Sequence, residues 1–157
     1  MVVGVADDRD AEALVLSLQA KGFRVLVALE QQAVHGLATV RMVSPGGFEQ
    51  GVVVDLLFAS SGIERDVATR AEHLEILPGL VVPVAWVSDL MALKVLARDD
   101  RRRPQDLDDL RALLREAQEA DIAATRRALQ DIETRGYHRD RRLLELFDAC
   151  LNEERPT

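Results

Sequence analysis

The stretch Val52-Val53-Val54-Asp55-Leu56-Leu57-Phe58 constrains this chain more than any other, because it sets a carboxylate in the middle of an apolar, largely β-favouring run. Bounded by Gly51 and by Ser60-Ser61-Gly62, it reads as a fully buried strand. An ionised Asp in such a strand is costly unless it is paired, hydrogen-bonded or holding a metal. The preceding segment offers a partner. Leu37 to Ser44 reads as a strand, Pro45-Gly46-Gly47 as a turn and Gly51 to Ala59 as the returning strand of an antiparallel hairpin. Arg41 interrupts Val40, Met42 and Val43 where it would lie across from Asp55, so an Arg41–Asp55 ion pair is one explanation of the carboxylate.

Other elements flank this hairpin. Met1 to Ala6 reads as a short strand with an unpaired edge, which predicts self-association into a homo-oligomer or pairing with another chain. Asp7-Asp8-Arg9-Asp10 opens a helix running to Lys21, with Gly22 as its stop. Asp8 and Asp10 have D-x-D spacing, but acids at a helix start are explained by capping and the helix dipole. Phe23 to Glu30 is a further strand. After the hairpin come a helix over Ile63 to Ala71 and two β segments, Leu74 to Leu77 and Leu80 to Ala85, around Pro78-Gly79. Ser88 is the expected cap of a helix reaching about Arg98, with Leu90, Leu93 and Ala97 facing inward and Lys94 on the same face. Pro104 begins the next helix, whose apolar stripe is Leu107, Leu110, Leu113 and Leu114. Asp106 and Asp109, three apart, share one side of it and can form a charge cluster with Lys94. Two more helices follow, Ile122 to Arg135 and Arg139 to Leu151, divided at Gly136-Tyr137.

Composition narrows the function. A chain of 157 residues holds one well-cored domain with a helical tail. It has no apolar run of the roughly 18 residues needed to cross a bilayer and no basic-then-apolar leader, so a soluble cytoplasmic protein with no membrane contact is expected. The net charge of −7 argues against broad DNA or RNA binding. Cys150, the single cysteine, reads as a packing residue. His35, His73 and His138 lack metal-ligand spacing, and there is no nucleophile elbow, P-loop or G-x-G-x-x-G. Eighteen of the twenty basic residues are Arg, which makes Lys94 stand out; the run Arg101-Arg102-Arg103 reads as a solvated loop or as a contact to a nucleotide or an RNA end.

The hairpin strand Val-Val-Val-Asp-Leu-Leu, the segment Pro83-Val84-Ala85, the helix Asp89-Leu90-Met91-Ala92-Leu93-Lys94 and the run Arg103-Pro104-Gln105-Asp106-Leu107-Asp108-Asp109-Leu110 follow one another in this order. Together they resemble the nucleotidyltransferase-like family that includes the toxin component of AbiE-type abortive-infection and toxin-antitoxin systems. The resemblance implies an α+β fold: a mixed β-sheet with helices on one side over residues 1–115, then a carboxy-terminal helical extension over 116–157. It implies transfer of a nucleotide from an NTP, with Mg2+, to a tRNA end or a protein hydroxyl, and an antitoxin as partner. By this resemblance Asp55 is a catalytic and metal-binding carboxylate, Lys94 meets nucleotide phosphates or orients the acids, and Arg103, Asp106 and Asp109 complete the nucleotide site. The family's upstream Gly-Gly or Gly-Ser turn and D-x-D strand have no counterpart here, and Met1 to Ala6 matches the continuation of that strand. A pair of Mg2+ ions needs about three converging carboxylates, of which Asp55 is one. Two expectations stand side by side: an active transferase shortened at its start, and a catalytically inactive binding or regulatory module on the same scaffold.

Overall fold

The structure is a computed structural model, and it describes residues 8–31, 36–46, 51–58, 61–99 and 104–155. The expected first strand, Met1 to Ala6, lies outside them. The described residues form six helices and two antiparallel sheets, an α+β fold, and divide into two compact units: Met1–Ser60 with Glu64–Thr69, and Ser61–Ile63 with Arg70–Thr157.

In the first unit, helix α1 (Asp8–Ala20) packs on a sheet of order β1-β2-β3, with β1 at Arg24–Gln31, β2 at Gly36–Val43 and β3 at Val53–Leu57. Ala11, Leu14, Val15 and Leu18 recur at helical spacing and meet Val40, Met42, Leu56 and Phe58. Gly22 ends the helix at φ +91°, and the Phe23 and Lys21 amides both donate to the Leu18 carbonyl. Alternation along β2 and β3 turns Val40, Met42, Val54 and Leu56 toward α1 and Arg41 and Asp55 to the opposite face. The expectation of a strand buried on both faces is therefore corrected. Val53 is exposed and the Asp55 side chain is 37% exposed, because the described residues cover this sheet on one face only. Helix α2 (Glu64–Arg70) follows, with Val67 buried.

The second unit begins with a hairpin of β4 (Glu72–Leu77) and β5 (Leu80–Val84), turned at Pro78-Gly79, where Gly79 adopts φ +78°. Helix α3 (Val87–Ala97) then packs against α4 (Pro104–Glu116), α5 (Glu119–Thr134) and α6 (Leu143–Glu154). Its buried residues are Ser88, Asp89, Met91, Ala92, Val95 and Leu96. The inward face is thus one residue round from the expected Leu90, Leu93 and Ala97; the run Leu90-Met91-Ala92-Leu93 is apolar on every side and gives no polarity by which to orient it. Ser88 does not cap the helix. It lies inside, and its carbonyl accepts a bond from Thr125 Oγ1 at 3.3 Å. Leu110 and Leu114 of α4, Leu129 and Ile132 of α5 and Leu143 and Phe147 of α6 are fully buried. Helix α5 starts three residues earlier than expected because Gln118 and Asp121 close a capping box. Helix α6 starts later, since Arg139 and Asp140 take φ values of 53° and 54°, and Glu133 Oε1 accepts from the Leu143 amide at 2.8 Å.

Candidate functional site

Asp55 belongs to the first unit, and Lys94, Asp106 and Asp109 to the second. Arg103 lies outside the described residues.

On the open face of the first sheet, Arg41 and Asp55 are register partners on neighbouring strands. Arg41 donates from Nε to Asp55 Oδ1 at 2.7 Å and from Nη2 to Oδ2 at 2.8 Å, a two-pronged guanidinium–carboxylate pair. The hydrogen bond and the charge of Asp55 raise the guanidinium pKa above its ordinary value. The expected ion pair with Arg41 is thus present. Among the described residues no three His, Cys, Asp or Glu side chains come together as a metal would need, and both Asp55 oxygens already face a cation. This donor set does not fit a magnesium site.

In the second unit, α3 and α4 bring together the three residues that spacing pointed to. Lys94 Nζ donates to Asp106 Oδ1 at 2.9 Å and to Asp109 Oδ2 at 2.7 Å. Asp106 is buried, with 1% of its side chain exposed, Asp109 is exposed, and Lys94 lies between them at 31%. Burial works against the ammonium, but its hydrogen bonds to Asp109 and Asp106 and the charges of those carboxylates together outweigh it, and the Lys94 pKa is raised. The group is an ammonium throughout the neutral range, with two of its three N–H donors committed to carboxylates.

Helix α3, which carries Lys94, is held at both ends by arginines that the sequence did not single out. At its start Arg70 donates to both oxygens of the buried Asp89, from Nε at 3.0 Å and from Nη2, while Trp86 Nε1 donates to the Arg70 carbonyl at 2.7 Å. At its end Arg141 Nη1 donates to the carbonyls of Leu96 at 3.0 Å and Arg98 at 2.9 Å, satisfying acceptors left over by the helix. The signal for the first clamp was an acid in the opening turn of an otherwise apolar helix. Arg141 had no signal, being 45 residues from Leu96. Cys150 is buried and accepts from Arg98 Nη1 at 2.9 Å.

No helix among the described residues is long and apolar enough to cross a membrane. No curated protein matches the chain. The family described as nucleotidyl transferase AbiEii toxin, type IV TA system, matches it over residues 8–156, and the chain belongs to that family.

Proposed function

We propose that this AbiEii-family chain transfers a nucleotide from an NTP to an RNA or protein acceptor, as the toxin half of a toxin-antitoxin pair. The observation that carries the reading is the family match across residues 8–156, which spans Asp55 and the Lys94, Asp106 and Asp109 group alike. In this reading Lys94 meets phosphate with its remaining N–H, oriented by Asp106 and Asp109 from α4. Arg103, next to Pro104 at the start of α4, adds a second cation for the nucleotide. Asp55, on the open face of the first sheet, is the carboxylate that the family likeness assigns to the reaction. Transfer needs the acceptor oxygen and the α-phosphorus held in line, so fixed side chains matter more here than reactive ones.

One observation favours a second reading, a binding or regulatory module without catalysis: Asp55 and Lys94 are both engaged in ion pairs within the chain. Labelled ATP, CTP, GTP and UTP, each with Mg2+ and bulk tRNA, separate the two. Transfer by the parent chain that is lost in Asp55→Asn and in Lys94→Met supports the transferase. No transfer with any nucleotide, or transfer that survives both substitutions, rejects these assignments. Co-purification with the product of an adjacent reading frame tests the antitoxin.

A further inference from the structure

The placement of Asp55 disagrees with a metal ligand's. It faces the open side of the sheet, yet both its oxygens are taken by a guanidinium, and the described residues bring no further pair of acids to it. We propose that Asp55 serves nucleotide binding through Arg41: the carboxylate fixes the guanidinium, and the guanidinium receives a phosphate of the nucleoside triphosphate. The inference rests on the transferase reading and adds to it the residue that meets the triphosphate on the first unit.

The geometry carries it in three steps. Arg41 stands in the middle strand, in a cross-strand row with Val27 on β1 and Asp55 on β3, so its backbone is held from both sides. The fork to Asp55 uses Nε and one Nη2 proton and fixes the plane of the guanidinium. Guanidinium has five N–H donors, and the two on Nη1 with the second on Nη2 make no hydrogen bond to a described residue. With 53% of the Arg41 side chain exposed beside the half-exposed Val27, those donors are reachable by a charged ligand. A planar fork held by a carboxylate along one edge presents its other edge to the tetrahedral oxygens of a phosphate. Asp55 is thus a positioning residue, and the permanent charge of Arg41 is the cation at this place.

Equilibrium dialysis of labelled ATP, CTP, GTP and UTP, each in EDTA and in Mg2+, tests this on the parent chain, Arg41→Gln, Arg41→Lys, Asp55→Asn and the double variant Arg41→Gln/Asp55→Asn. Thermal melting confirms that each is folded. The expected result is binding of at least one nucleotide in EDTA, weakened roughly tenfold to a hundredfold by Arg41→Gln. Asp55→Asn weakens it in the same direction, Arg41→Lys does not restore it, and the double variant is no weaker than Arg41→Gln alone, because one residue acts through the other. Binding that requires Mg2+, falls in Asp55→Asn and is untouched by Arg41→Gln overturns the inference while leaving the transferase reading intact. Absence of binding by the parent in both conditions overturns both.

Discussion

The two units use the same pairing, an aspartate against a basic side chain, in opposite surroundings. In the first, Arg41 and Asp55 meet on the uncovered face of a three-stranded sheet, and both side chains reach solvent. In the second, Asp89 and Asp106 are each 1% exposed and are held by Arg70 and Lys94 from the edge of a helical core. An exposed pair gains little, because water solvates each partner as well as the other does and salt screens what remains. A buried carboxylate that loses its cation keeps its desolvation penalty, so removing one partner is far more damaging than the pair is stabilising. The second unit's pairs therefore hold its helices in register, whereas the first unit's pair stays in reach of solvent.

The sharpest way to break this comparison is at Asp89. Arg70→Leu withdraws a bidentate cation from a buried carboxylate at the start of α3, and is expected to lower stability by about 3–5 kcal/mol in urea unfolding. A loss under 1 kcal/mol would place Asp89 with the exposed pairs. Lys94→Met is the next largest. Lys94 reaches solvent, which discounts the effect, but Asp106 does not, so a loss of roughly 2–3 kcal/mol is expected. Its pH dependence has a definite sign. A lysine whose folded pKa is raised contributes stability that is complete below the unfolded-state pKa and is lost as pH rises through the folded one. The difference between parent and Lys94→Met is therefore constant through neutral pH and shrinks on alkaline titration past the ordinary lysine range.

How far these features could be read beforehand follows the same division. The α1 stop at Gly22, the β2–β3 hairpin, the Arg41–Asp55 register and the meeting of Lys94 with Asp106 and Asp109 were legible, because each rests on local spacing: a glycine, a turn, an alternation, an i,i+3 pair. The exposure of Asp55 was not, since Val53 is as apolar as a core residue and nothing local says that one face of the sheet stays open. The orientation of α3 failed for the reverse reason: Leu90, Met91, Ala92 and Leu93 are apolar all round, and the buried side is chosen by Asp89 reaching Arg70, 19 residues earlier. Long-range arginine contacts leave no periodic trace. The expectation of a nucleotide site came from the order of motifs, a likeness of lineage that does not specify which atoms face which.

Gly62 sharpens the boundary between the units. It lies in the short segment 61–63 that groups with the second unit, at φ +75°, its carbonyl accepting from Arg135 Nη1, and a Cβ there would come within 2.5 Å of Tyr137 Cδ2. Gly62→Ala must both adopt a left-handed backbone and displace a ring, and a loss on the order of 2 kcal/mol is expected. If the segment is instead loosely held, the melting temperature of Gly62→Ala will match the parent's.

The smallest effect on stability is expected at Arg41, and it is the most informative because it separates holding a fold from serving a ligand. Arg41→Gln removes a guanidinium that is largely in water and leaves Asp55 able to take up solvent in its place, so the melting temperature should hardly change. What difference there is should vanish in high salt, whereas that of Arg70→Leu should persist, since the carboxylate it exposes to loss lies where salt does not reach. A destabilisation by Arg41→Gln equal to that of Arg70→Leu would make the open-face pair a structural clamp like its counterpart at Asp89, and would remove the ground for assigning the guanidinium to a phosphate.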